Sequence, residues 1–198
     1  MMPGEGKNGR CRRERNGVYL HASAVNVSGR ALLFLGHSTA GKSTIGRLLA
    51  GRYPLIADDK VLVSRMGGGP WMVRDASGKF RAWSGSGYRL GRRKYPLHAV
   101  LRIFKARAVV LHPIGQMEAC RYLLDAVFEN DFQRRVNDLR RRMDWFRMTA
   151  ALSREIKGWR LTFPKNKSIV KAIRDAFEGS AVADAEGGEM SIRRERMG

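Results

Sequence analysis

An α/β fold with a mixed sheet and flanking helices is predicted by three observations. Short apolar runs of strand length alternate with amphipathic stretches of helix length. Two of those runs, Val18 to Val27 and Ala31 to Leu35, lie on either side of Gly29-Arg30, the pattern of an antiparallel turn. A Gly-rich segment, Gly36 to Ser43, then joins the second run to a helix-like run, Thr44 to Ala50.

Residues 1 to 16 are polar and basic without periodicity and read as a flexible arm. The folded unit is expected over 17–178, and 179–198 have the composition of a tail. Within the first helix Ile45, Leu48 and Leu49 take i, i+3, i+4 positions, so one face packs on a sheet. Pro54 ends that helix; Leu55 to Ala57 restarts a strand, and Val61 to Val63 continues it past Asp58-Asp59. Met66 to Pro70 is a turn. Trp71 to Arg74, and the region up to Trp83, suggest short antiparallel strands, whereas Ser84 to Tyr95 has the composition of a basic loop.

Strands are next expected at Ala99 to Phe104 and Ala108 to His112. After Pro113 a helix is expected with Met117, Cys120, Leu124 and Val127 on its apolar stripe. A second follows with Phe132, Val136, Leu139, Met143 and Phe146 toward the core and Arg residues in solvent. A strand from Trp159 to Phe163 and an amphipathic helix from Ser168 to Phe177 close the domain.

Composition narrows the class. With 198 residues, 43% hydrophobic and 9% aromatic, the chain can bury one substantial core, and one domain is expected. No apolar run approaches the roughly 18 to 20 residues of a membrane span, and the start of the chain lacks the apolar region of a secretory signal, so a cytoplasmic location is expected. Cys11 and Cys120 lie far apart without metal-type spacing, which argues for reduced thiols rather than a disulfide framework or a zinc site. The formal charge of +20, from 38 Lys and Arg against 18 Asp and Glu, would draw nucleic acid, phosphate-rich ligands or an acidic protein. Its clusters, Arg12 to Arg15, Arg89 to Lys94, Arg140 to Arg142 and Arg193 to Arg196, lack the aromatic interleaving of a single-strand platform. Sequence-blind, salt-sensitive binding of polyanions is therefore the expectation for the arms.

Gly36 to Ser43 reads GHSTAGKS, a full G-x-x-x-x-G-K-[ST] match of the Walker A type, which roughly one chain in a hundred of this length would carry by chance. Strand before and helix after lower that figure further. Its glycines let the backbone curl so that N–H groups converge on phosphate oxygens; Lys42 reaches the β/γ phosphates, and the Ser43 hydroxyl can ligate Mg²⁺. His37 stands at a variable position of the pattern and reads as filler. In such proteins the magnesium also needs a carboxylate at the end of a neighbouring strand, and Asp58 and Asp59 offer two. They follow Lys42 by only 16 and 17 residues, while His21 precedes Gly36 by 15. Neighbours on a regular strand face opposite ways, so both aspartates serve one site only if the strand ends or bulges there.

A strand with His21, a strand and phosphate loop, a helix, and a strand ending in Asp58-Asp59 together resemble the catalytic domain of HPr kinase/phosphorylase. The nucleotide site of ATP-dependent phosphoenolpyruvate carboxykinase is more distantly similar. The likeness is specific over Tyr19 to Arg65 and looser as far as Phe177, through YPL at Tyr95 to Leu97, the paired strands and the closing LTFPKNKSIVKAI. The short stand-alone HPr-kinase-related proteins are the most similar, since the regulator's N-terminal domain has no counterpart here. The resemblance implies a mixed P-loop sheet of the HPr kinase and carboxykinase type. It also implies ATP on Gly36, His37, Ser38, Thr39, Ala40, Gly41, Lys42, Ser43 and Thr44, and Mg²⁺ on Ser43 and Asp58. By the same likeness Asp59 would take the proton from an acceptor hydroxyl, and His21 would lie beside the metal and the acceptor.

Two departures stand out. Thr39 replaces the glycine usual in the HPr kinase loop, and a β-branched residue does not take positive φ cheaply, so either that position is not left-handed here or the loop is altered. The family's second Gly-rich signature includes a Glu that helps bind metal, and Gly67 to Lys94 contains no Glu, so phosphorolysis and recognition of HPr are not carried over. An ATP- and Mg²⁺-dependent kinase acting on a hydroxyl, with a protein or peptide serine as acceptor, is the leading expectation. A degenerate nucleotide-binding module with a basic surface for nucleic acid or an acidic partner is the alternative, and a small-molecule kinase a further one. Homo-oligomer formation stays open.

Overall fold

The computed structural model describes residues 17–77, 93–129 and 138–178. The expected arm and tail, the basic loop as far as Arg92 and any strands near Trp83 lie outside these ranges, as do Phe132 and Val136, while Tyr95, expected to end the loop, is already in a strand.

Among the described residues eight strands form one mixed sheet. They are β1 (Gly17–Val27), β2 (Arg30–Leu35), β3 (Leu55–Ala57), β4 (Lys60–Ser64), β5 (Met72–Asp75), β6 (Tyr95–Lys105), β7 (Val110–Ile114) and β8 (Lys157–Phe163). Among the described residues four helices flank them: α1 (Lys42–Ala50), α2 (Gln116–Phe128), α3 (Leu139–Glu155) and α4 (Ser168–Phe177). The order is β2-β1-β4-β5-β6-β8-β7, with β3 added to β1 and β2 also paired to β6. Two long strands make this double pairing work. β1 pairs with β4 through Gly17 to His21 and with β2 through Ala22 to Val27. β6 meets β5 at Tyr95 and Pro96, then runs parallel to both β2 and β8. The hairpin expected at Gly29-Arg30 forms, with Ser28 and Gly29 both at positive φ.

Alternation along β1 sorts the core into two layers. Val18, Leu20, Ala22 and Ala24 enter the layer beneath α2 and α3, whereas Val25 and Val27 enter the layer beneath α1 and α4. On the α1 and α4 side Ile45, Leu49, Ile169, Ile173 and Phe177 close over Leu32, Phe34 and Leu101. Each such buried aliphatic or aromatic side chain is worth about 1.5–3 kcal/mol. At the far ends of these two helices Arg52 grips Glu178 through two nitrogens, at 2.9 and 3.2 Å.

The opposite side corrects two expectations. α2 buries Ala119, Tyr122, Leu123, Ala126 and Val127, while Met117 is 87% exposed and Cys120 and Leu124 are half-buried. α3 buries Trp145, Thr149, Leu152 and Ser153, while Leu139, Met143 and Phe146 are exposed. Of the expected α2 stripe only Val127 is buried in the core, and of the described members of the α3 stripe, Leu139, Met143 and Phe146, none is. Small and aromatic residues set the true faces, because α2 must approach closely where Ala119 passes Gly158 of β8: a Cβ on that glycine would come within 2.9 Å of the Ala119 Cβ. In α3, Thr149 and Ser153 are admitted to the buried face because their hydroxyls donate back to helix carbonyls, those of Trp145, Phe146 and Ala150.

Candidate functional site

β2, β6 and β8 run parallel, and the segment from Gly36 to Gly41 lies where β2 ends, handing the chain to α1. Gly41 stands at φ 102°, a left-handed position that only glycine takes freely, and it caps α1. Among the described residues only Ser28, Gly29, Gly41 and Gly67 have positive φ, so Thr39 is not left-handed and its branched side chain is unstrained. No side chain caps the first turn of α1 and no acidic residue sits in it, which leaves its N–H groups and the positive helix end facing the loop.

Lys42 turns back over the loop, donating to the carbonyls of Gly36 and, at 3.0 Å, His37. Burial lowers its pKa; the nearby Glu129 and, less, Asp59 pull it upward, and Arg102 adds to the lowering. Ser43 is exposed in the first turn of α1.

The acidic pair resolves the question of facing. β3 ends at Ala57 and β4 starts at Lys60, so the strand does not continue through Asp58 and Asp59 as expected but breaks there. The Ser23 hydroxyl donates to Asp58 Oδ1 at 3.1 Å, and His21 Nδ1 lies 3.3 Å from Asp59 Oδ1. His21 and Ser23 are two apart on β1 and share a face, the one continuing Val25 and Val27, so both carboxylates are held on the α1 side. Asp58 lies against α1 at Gly46, where a Cβ would meet Asp58 Oδ1 at 3.5 Å, an ordinary contact distance. Ser43 and Gly46, three apart, lie on one flank of that helix, the flank Asp58 approaches at Gly46. Asp59 is the more open of the two, with a side chain 70% exposed.

A second cluster, which adds Glu129 and Arg102 to His37 and Lys42, lies on the α2 side. Glu129, at the C-terminal cap of α2, accepts from His37 Nδ1 at 2.8 Å, and its other oxygen is 3.9 Å from Lys42 Nζ. The far nitrogen of the His37 ring, Nε2, lies 2.6 Å from an Arg102 guanidinium nitrogen. A neutral imidazole protonated on Nδ1 satisfies both contacts, donating to the carboxylate and accepting from the guanidinium. His37, expected to be filler, is thus the bridge between Glu129 and Arg102. Arg102, on β6, is 3% exposed, with its guanidinium 4.8 Å from the centre of the Tyr122 ring. Ser23 and Arg102 each left a trace in the sequence, as polar residues inside apolar strand runs. Glu129 left none, because 92 residues separate it from His37.

Among the described residues no three His, Cys, Asp or Glu side chains gather into a site able to hold a metal alone. The donors beside α1, a hydroxyl and a carboxylate, are hard oxygens of the kind Mg²⁺ takes when substrate phosphates supply further ligands. They fit a magnesium nucleotide better than a free ion. No described helix is long and apolar enough to cross a membrane.

The structure is similar to that of the HPr(Ser) kinase/phosphatase from Coxiella burnetii, at 12% sequence identity and a TM-score of 0.46, over 84% of this chain and 98% of the other. A comparison with curated proteins gives no match. A family model described as SynChlorMet cassette protein ScmC matches residues 9–173, and the chain belongs to that ScmC family.

Proposed function

We propose that this chain is an ATP- and Mg²⁺-dependent kinase that transfers the γ-phosphate to a hydroxyl, that of a serine in a protein or peptide. The observation that carries the reading is the placement of Asp58 and Asp59 on one face of β1, held by Ser23 and His21, on the side of the sheet where α1 follows the GHSTAGKS loop. Phosphoryl transfer asks for charge neutralisation on the phosphates and one group oriented on the nucleophile, and the residues divide along those lines.

Lys42 and the N-terminal N–H groups of α1 bind the phosphate chain; Gly36 to Thr44 form the cradle. Ser43 and Asp58 would hold the magnesium, which neutralises charge on the phosphate oxygens when bound. Asp59, the open carboxylate, takes the proton of the acceptor hydroxyl as the oxygen bonds to the γ-phosphorus and ADP leaves. His21 orients Asp59 through its ring nitrogen. Hydroxyl acceptors bound near Asp59 meet the solvent-open side of the site.

One observation favours the alternative of a nucleotide-binding module that transfers nothing: Glu129 already stands as counter-ion to Lys42 and accepts from His37. Calorimetry with ATP and Mg²⁺ tests the loop itself. Lys42→Ala is expected to weaken binding by at least about tenfold, the loss of one charge-assisted bond to phosphate. Equal affinity in native and variant protein would end the assignment. Incubation of the native chain with ATP, Mg²⁺ and a lysate peptide pool, read by phosphopeptide mass spectrometry, then separates kinase from module; absence of new phosphoserine despite tight ATP binding would select the module.

A further inference from the structure

A buried arginine beside a buried lysine calls for a reason. Arg102 sits on β6 opposite Leu35, the residue that precedes the loop, and only one of its three guanidinium nitrogens is hydrogen-bonded, to His37. Its Nε and other terminal nitrogen are buried without a hydrogen-bond partner, and Asp125 stands 4.0 Å from that terminal nitrogen. Leaving such donors unmade costs free energy that an arginine kept only for packing would not need to incur. The rings of Tyr122 at 4.8 Å and Phe104 at 5.9 Å hold the planar group in place. Glu129 completes the picture. One of its oxygens takes the His37 bond, while the other is buried with no hydrogen-bond partner, 3.9 Å from Lys42.

The geometry points to Arg102 as a second phosphate-binding cation of this site, held beneath the loop by Tyr122 and His37, with Glu129 the internal anion that a phosphate ligand displaces. This rests on the reading of Gly36 to Ser43 as a phosphate loop. Before the ligand arrives, two carboxylates, Glu129 and Asp125, balance two cations, Lys42 and Arg102. Adding a phosphate chain beside Glu129 would set like charges together, so the carboxylate leaves, and the His37 ring, 71% exposed, swings out with it. That movement frees the hydrogen-bonding nitrogen of Arg102 for a phosphate oxygen. The ligand class is a polyphosphate, with or without a nucleoside.

Binding of tripolyphosphate and of ATP, each with Mg²⁺, to the full chain by calorimetry tests this. Arg102→Gln is expected to weaken tripolyphosphate binding by about ten- to a hundredfold, and Arg102→Lys to recover part of it. Glu129→Gln, which keeps shape and removes only charge, is expected to strengthen binding severalfold. Unchanged affinity in a folded Arg102→Gln protein, or weaker binding in Glu129→Gln, overturns the proposal. Should Arg102→Gln fail to fold, Glu129→Gln alone decides: tighter binding supports it, and unchanged or weaker binding overturns it. If Lys42→Ala abolishes binding while the Arg102 and Glu129 variants match the native chain, the phosphate loop stands and this inference falls. If native chain and Lys42→Ala bind tripolyphosphate equally, both fall.

Discussion

The two faces of the sheet differ in how they were built. On one, α1 and α4 each follow a parallel strand through a short connection and bury a regular apolar stripe, Ile169, Ile173 and Phe177 in α4. On the other, α2 and α3 present faces mixed from small, aromatic and hydroxyl side chains and leave Leu139, 75% exposed, pointing away from the core. The site divides along the same line. Asp58 and Asp59 stand on the α1 side, a helix and a turn from the loop, whereas Glu129 and Arg102 reach it from the α2 side across long stretches of chain. Regular packing near the loop thus accompanies the residues assigned to chemistry; irregular packing accompanies those that set charge.

The sharpest way to break the comparison is Asp59→Asn. It is expected to lower phosphoryl transfer by roughly a hundredfold to ten-thousandfold while ATP and Mg²⁺ binding stay nearly intact, as for loss of a general base. A large loss of ATP affinity with unchanged single-turnover transfer would move the base elsewhere.

Stability separates the faces next. Trp145→Ala on α3 is expected to cost about 3–5 kcal/mol in urea unfolding. Leu139→Gln on the same helix should change stability by no more than about 0.5 kcal/mol. A substantial loss from Leu139→Gln would return the expected stripe to the core and undo the corrected phase of α3.

Asp58→Asn comes third. It is expected to raise the Mg²⁺ concentration needed for ATP binding by about tenfold, since it removes one charged ligand from the ion. An unchanged Mg²⁺ requirement would leave Asp58 as a turn residue bonded to Ser23.

The smallest effect concerns the seam between α2 and β8. Glu118 accepts from Tyr122 and from Arg160, each at 2.6 Å, and these bonds hold its carboxyl below its ordinary value of 4.5. A depressed carboxyl contributes stability that is fully present above that value and fades as pH falls below it. Acid unfolding of native chain and Glu118→Gln should therefore converge below pH 4.5 and differ slightly above it. Parallel curves across that range would remove the seam from the pH dependence.

Much of this architecture could be read along the chain. The strand pair about Gly29, the strand-loop-helix unit and the helix from Ser168 to Phe177 appear where expected, because each is specified by neighbours within a few residues: turn glycines, alternation, and apolar spacing of three and four. The Asp58-Asp59 pair was legible for the same reason. Its common facing was not, since that depends on a strand break whose partners, His21 and Ser23, lie on another strand.

What the sequence by itself determined is the local grammar: which segments extend, which coil, and where a glycine turns the chain from strand into helix. The tertiary structure decided the rest. The faces of α2 and α3 follow from close approach to the sheet, as at Gly158, and no periodicity within a helix encodes its neighbour's shape. Parallel pairing of β2 with β6 sets Arg102 beside the end of β2, and α2 then delivers Glu129 to His37. Polar side chains separated by 65 and 92 residues become one cluster only when strand order closes the distance, because hydrogen bonding depends on space and not on position in the chain.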